Sequence, residues 1–255
     1  MNPKSLLVIG DPARMPELKS NSIQLVVTNP PCCNLDEFGE VVPEFYGKYL
    51  MSMQDVFCEC YRVLCEGRFL CLNVPDPIKV NSSNLIPMIE RSGFKYEDEI
   101  VWRNRKDAGF FLKNPYCTCY YPEDSFERVF VFKKGNTELY KLSEEEKQKC
   151  KFDLNFALDH VGFELPDSMP EEIRDWPQKA LYPEELAEAL IKLYAYEGET
   201  VLDPFLGSGT TIKAARRAGR LAVGYEINGA YLPLIGRKVG FSRLKIIRRG
   251  GNDED

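Results

Sequence analysis

The chain has a single histidine, His160, among 255 residues, and no two of its nine cysteines stand at C-x-x-C spacing. Cys58 and Cys60, and Cys117 and Cys119, are one residue apart, which does not match a zinc-ligand hairpin, so no metal site is expected. The odd cysteine count and the apolar runs around most of them argue against a disulfide framework. They read as small buried hydrophobes in a reducing, intracellular setting. No apolar run approaches the length of a membrane span. The start, MNPKSLLVIG, lacks a basic opening, a long apolar core and a cleavage site, so no signal peptide, no membrane partner and a cytoplasmic location are expected. Net positive charge is also missing: the formal charge is −6, whereas a nucleic-acid binder usually carries a basic footprint. The signs are segregated, however. Cations gather at Arg103, Arg105, Lys106 and Lys113, and again at Arg237, Lys238, Arg243, Lys245, Arg248 and Arg249. Acid concentrates at Glu144–Glu146, Glu171–Glu172 and Asp253–Asp255. A basic cleft in an acidic body and ordinary solvated faces are both open readings.

Short apolar runs alternate with segments of helical spacing. Strands are predicted at Leu6–Ile9, Ile23–Thr28, Arg68–Val74, around Val201–Leu202 and at Leu221–Val223; helices are predicted at Phe45–Leu64, Leu85–Arg91, Leu186–Tyr194 and Thr210–Ala218. Gly67 and Gly93 are placed as helix C-caps. Tyr96–Trp102 and Arg128–Phe132 read as an antiparallel strand pair around a long loop. The alternation predicts an α/β fold with a mostly parallel sheet covered by helices on both faces. A chain of this length makes one large domain, or one domain with an insertion.

The densest information lies in VLDPFLGSGTTIKAARRAGRLAVGYE, residues Val201 to Glu226. It reads as strand, glycine turn, helix, strand, carboxylate. Glycines let a ligand approach the backbone, and a carboxylate about twenty residues on can bind ribose hydroxyls. The spacing G-x-S-x-G is not the dinucleotide fingerprint G-x-G-x-x-G, and the lysine of a phosphate loop does not follow the second glycine. Asp203 at the loop mouth repels a pyrophosphate and suits a cation. S-adenosylmethionine, with its ammonium and sulfonium, therefore fits better than NAD or ATP.

DPFLGSGTT resembles the cofactor motif of amino-methylating DNA methyltransferases. Gly10-Asp11 and Gln24-Leu25-Val26-Val27-Thr28-Asn29-Pro30-Pro31-Cys32 resemble their catalytic region: an apolar strand ending in Ser, Asn or Asp, then Pro-Pro, then an aromatic. The catalytic motif comes first here, an order similar to the permuted (beta) class acting on cytosine-N4 or adenine-N6. The resemblance runs from Gly10 to about Gly240 and implies a Rossmann-like S-adenosylmethionine-dependent methyltransferase fold with circularly permuted motif order. It implies DNA as partner, with RNA the alternative substrate, in a monomer or homodimer. It assigns cofactor binding to Asp11, Asp203, Pro204, Phe205, Gly207, Ser208, Gly209, Thr210, Thr211 and Glu226, and catalysis to Asn29, Pro30, Pro31 and Cys32. Residues 1–103 then form the catalytic half, 104–175 a target-recognition loop and insertion, 176–249 the cofactor half, and 250–255 a tail expected to be disordered.

An exocyclic base amine is a poor nucleophile because its lone pair is delocalised into the ring. Acceptors at its hydrogens, the Asn29 side-chain carbonyl and the Pro30 backbone carbonyl, can turn the nitrogen toward tetrahedral. Positioning in line with the methyl–sulfur bond does the rest. The departure from the family pattern is Cys32, where an aromatic usually stacks on the target base. Three readings stay open: another ring (Phe38, Phe45 or Tyr46) stacks instead; the enzyme is weakened or takes another substrate; or Cys32 is a nucleophile, as in cytosine-C5 chemistry. A cofactor-binding module without catalysis is the reading from another functional class. For substrate contact the expectation is Arg103, Arg105, Lys106 and Lys113, whose segment to Tyr121 interleaves cations for phosphates with aromatics that wedge or stack. A base inside a duplex must be flipped out to reach such a site.

Overall fold

The computed structural model describes residues 4–31, 43–74, 82–103, 126–136 and 184–249. One eight-stranded sheet organises them, in the order β4-β5-β3-β2-β6-β7-β1-β8. The strands are β1 (Ser5–Ile9), β2 (Ile23–Thr28), β3 (Leu64–Val74), β4 (Phe94–Arg103), β5 (Phe126–Lys134), β6 (Thr200–Asp203), β7 (Leu221–Glu226) and β8 (Leu244–Arg248). All neighbours pair parallel except β3 with β5 and β5 with β4. The helices are α1 (Pro43–Val63), α2 (Ser82–Arg91), α3 (Glu184–Tyr194), α4 (Thr210–Arg217) and α5 (Leu232–Ile235), the last running into a π-turn at Gly236–Gly240.

Strand side chains alternate between the two faces, and here both faces are buried. Leu25 and Val27, Cys71, Val129 and Val131, and Val201 pack with Leu190 and Ile191 of α3, Ile212 of α4 and Ile235 of α5. Their neighbours Val26, Leu70 and Leu72, Phe130 and Phe132, and Leu202 pack on the other face with Phe57 of α1 and Met88 of α2. This explains why the sequence shows continuous apolar runs rather than alternation with polar residues. The predicted antiparallel pair is present, Val101 lying opposite Arg128.

Two features depart from the sequence expectation. Gly67, read as the C-cap of the first helix, lies inside β3 with φ +75°, where the pairing with β2 jumps from Ile23↔Leu64 to Leu25↔Phe69. The end of α1 is closed instead by distant groups. The amides of Asn21 and Ser22 donate to the carbonyls of Arg62 and Val63, and Lys134 Nζ donates to those of Tyr61 and Leu64, at 2.6–3.1 Å. A cation at a helix C-terminus also has the favourable sign for the helix dipole. Second, β8 has no counterpart among the predicted strands; it adds a parallel edge strand beside β1. β5, predicted as a strand at Arg128–Phe132, lies in the common sheet between β4 and β3.

The order places the ends of β2, β6, β7 and β1 along one edge. β2 and β6 are adjacent, but the chain winds outward from them in opposite directions, to β3 on one side and β7 on the other. Such a switch point in an open parallel sheet leaves a crevice beyond the carboxyl ends of the strands, the usual ligand position.

Candidate functional site at the switch point

Asp203 closes β6 and is buried. Its Oδ1 accepts from Thr28 Oγ1 at 2.7 Å and from the Phe205 amide at 3.0 Å, and its Oδ2 accepts from Thr211 Oγ1. One carboxylate thus ties the end of β2, the glycine loop and the start of α4 together. Burial pushes its pKa up to about 6, against the lowering effect of those three donors, and the Glu226 charge pushes the same way as burial. The loop then turns on Gly207 (φ +53°) and Gly209 (φ +90°), conformations that cost a side-chain-bearing residue. A Cβ on Gly209 would lie 3.3 Å from Ile235 and Val239, so the loop rests directly on α5 and its π-turn. Pro204 is buried, and Phe205 is half-buried against the core. Gly209 offers no side-chain cap to α4. Ser208 Oγ and Thr210 Oγ1 lie 3.1 Å apart, and Lys238 Nζ donates to both, at 3.1 and 2.5 Å.

Glu226 closes β7 and is also buried. The Gly207 amide donates to its Oε2 and the Asn228 amide to its Oε1, both at 2.8 Å. Burial raises its pKa, offset in part by these amides. With the Ile227 amide as a third donor, the carboxylate still has acceptor capacity for one ligand donor. At the end of β1 the Gly10 amide donates to the Glu226 carbonyl at 2.9 Å, which brings Asp11 beside the same carboxylate strand end. Asp11 is exposed, and its Oδ1 accepts from the Ala13 amide at 2.8 Å. Arg249 holds this turn. It donates to the carbonyls of Asp11 (2.7 Å) and Arg14 (2.5 Å), pairs with Glu17, and lies 5.3 Å from the Tyr225 ring centroid. By sequence Arg249 belongs to a basic cluster that could line a cleft or form a solvated face; its guanidinium is instead spent inside the fold.

Asn29 follows β2 directly. Its side-chain Oδ1 is buried and has no hydrogen-bond partner among the described residues. Pro30 is buried and Pro31 half-buried. A buried acceptor without a donor is costly, of order 1–3 kcal/mol, unless a ligand supplies the donor.

The edge therefore carries, in order across β2, β6, β7 and β1, Asn29, the Asp203 loop, Glu226 and Asp11. Arg103 ends β4, whose direction matches that of β3, so it lies on the same edge three strands from β2, roughly 14 Å at ordinary strand spacing. Cys32, Arg105, Lys106, Lys113 and the alternative rings Phe38, Phe45 and Tyr46 lie outside the described residues or side chains. Two participants are not singled out for this site by the sequence. Thr28 looks like one more β-branched strand residue, and Lys238 like one more surface cation; only the fold brings them to residues 203–211. Among the described residues no group of three or more metal-ligating side chains occurs, and no helix is long and apolar enough to cross a membrane.

Residues 23–237 match a family model described as DNA methylase, of the N6/N4 type. The Type II methyltransferase M.MjaI of Methanocaldococcus jannaschii is 27% identical over 293 residues, covering 94% of this chain and 92% of that protein. The structure of TTHA0409 of Thermus thermophilus, a candidate DNA modification methylase complexed with S-adenosyl-L-methionine, superposes with a TM-score of 0.72. It is 24% identical and covers 97% of this chain and 100% of that one. The PvuII DNA methyltransferase, specific for cytosine-N4, gives a TM-score of 0.64 at 19% identity, covering 100% and 92%. The fold shared with these two structures is the Rossmann-like methyltransferase fold.

Proposed function

The chain belongs to the N6/N4 DNA methylase family, and from that premise we propose that it transfers a methyl group from S-adenosylmethionine to the exocyclic amine of adenine or cytosine in DNA, with Asn29 and Pro30 holding the amine. The order of its motifs supports the permuted class. The observation that carries the reading is the buried Oδ1 of Asn29, without a hydrogen-bond partner among the described residues, one residue beyond the Thr28–Asp203 bond that joins β2 to the cofactor loop.

The residues fit the cofactor. The glycine turn is backed by Ile235 and Val239, Glu226 keeps acceptor capacity for a ribose hydroxyl, and Asp11 stands beside it for the adenine amine. When bound, S-adenosylmethionine supplies an electrophilic methyl on a sulfonium. The protein's part is orientation. Asn29 Oδ1 and the Pro30 carbonyl accept the amine hydrogens, which draws the nitrogen lone pair out of ring conjugation. The double proline stiffens this acceptor pair so that the amine is held in line with the methyl. No strong base is required, because the amine proton becomes acidic only once the nitrogen has been alkylated. The target base reaches the site by leaving the stack. Arg103, together with Arg105, Lys106 and Lys113 after it in the sequence, is proposed to contact phosphates, since β4 ends at Arg103 on the same edge.

Incubation with labelled S-adenosylmethionine and unmethylated genomic DNA, in parallel with total RNA, followed by nucleoside mass spectrometry, tests this. The expected product is N6-methyladenine or N4-methylcytosine in DNA. Label confined to RNA, or a C5-methylated cytosine with a trapped adduct at Cys32, would overturn it. The departure at Cys32 motivates the second reading, a module that binds cofactor without transfer; binding with no labelled base would favour it.

A further inference from the structure

Lys238 sits where a cation is least expected. Gly236–Gly240 widens into a π-turn, a rare geometry that recurs at functional sites, and presents the half-buried Lys238 to the start of α4. The N-terminus of a helix carries partial positive charge, so an ammonium there has the wrong sign for the dipole. Lys238 has no carboxylate partner among the described residues. The nearby Glu184 is taken by Lys213 at 2.8 Å and Arg217 at 2.9 Å, and Glu185 and Lys213 act on Lys238 only through space. Its two hydrogen bonds go to the hydroxyls of Ser208 and Thr210.

This cluster is made of donors. One ammonium proton remains after two are used, and, because one of the two hydroxyls donates to the other at 3.1 Å, one hydroxyl hydrogen remains to give. Gly209 leaves the first amides of α4 without a side-chain acceptor. Donors converging at the positive end of a helix form a receptor for an anion. In the cofactor reading above, on which this inference rests, the one anionic group is the α-carboxylate of the methionine moiety. We propose that Lys238 is a cofactor-binding residue that, with Ser208, Thr210 and the start of α4, receives that carboxylate.

Titration calorimetry with S-adenosylmethionine and with decarboxylated S-adenosylmethionine separates the possibilities, because the second ligand keeps the nucleoside, sulfonium and amine but lacks the carboxylate. Wild-type protein should prefer the complete cofactor by about tenfold or more, the range for a charge-assisted hydrogen bond. Lys238→Met should weaken the complete cofactor by about the same factor and leave the decarboxylated ligand within about twofold, while Lys238→Arg retains most of the preference. Ser208→Ala, a milder change, should weaken only the complete cofactor. Equal weakening of both ligands in Lys238→Met would make the lysine a prop for the loop and overturn the proposal. Failure of wild-type protein to bind either ligand would instead overturn the cofactor reading beneath it.

Discussion

At the scale of single residues the site is a set of unfilled or over-filled polar groups. Asn29 is under-filled: its buried oxygen has no donor among the described residues. Asn29→Ala should lower methyl transfer about 10- to 100-fold, the worth of one or two strong hydrogen bonds in the transition state, while calorimetry finds cofactor affinity nearly unchanged. Unchanged turnover would remove Asn29 from the mechanism. Lys238 gives a pH signature. Burial lowers its pKa to about 8, and anion binding needs the charged form. Cofactor affinity should therefore fall as pH rises through about 8. Lys238→Arg stays charged in this range, so the difference between the two proteins isolates the lysine from titration of the cofactor's own amine.

At the scale of elements, what matters is how β2 and β6 are joined. They share only a short pairing, Leu25↔Val201 and Val26↔Leu202, and beyond it the Thr28–Asp203–Thr211 chain takes over. Thr28→Val keeps the shape and removes the donor, leaving Asp203 one hydrogen bond short in a buried place. It should cost about 1–3 kcal/mol of stability and weaken both transfer and cofactor affinity, with Thr28→Ser restoring both. Denaturant unfolding and calorimetry on the two variants check this. The contact between β7 and the loop is equally tight: a Cβ on Gly224 would meet Leu206 at 2.6 Å. Gly224→Ala should destabilise by about 1–3 kcal/mol in the same unfolding assay, through overpacking rather than any change in polar contacts.

At the scale of the whole molecule, carboxylates of two kinds oppose one another in pH dependence. The Arg249 bond lowers the pKa of Glu17 and the Arg62 bond lowers that of Glu59, so their stabilisation is present above the ordinary carboxylate range and lost as pH falls. Asp203 runs the other way. Its folded pKa of about 6 exceeds the ordinary 3.8, so its contribution is complete below 3.8 and is lost as pH rises through about 6. Asp203→Asn should flatten the slope of melting temperature against pH between about 4 and 6, the window set by those two values. A slope identical to wild type would mean that the carboxylate is solvated in solution.

Local chemistry in the sequence was sufficient to define the glycine turn at 207–209, the carboxylates Asp203 and Glu226, the Asn29-Pro30-Pro31 strand end and the alternation of strands with helices. Each depends on residues close in the chain: backbone freedom at glycine, the rigidity of proline, the periodicity of burial. The cap of α1, the edge strand β8 and the roles of Thr28, Lys238 and Arg249 were not legible, because each is defined by a partner far away in the chain. Thr28 meets Asp203 across 175 residues, and Arg249 meets Glu17 across 232. A cation or a threonine hydroxyl carries no mark of which distant group it will satisfy. That was decided by the parallel order of the sheet, which brought the ends of β2, β6, β7 and β1, and with them motifs far apart in the sequence, to one edge.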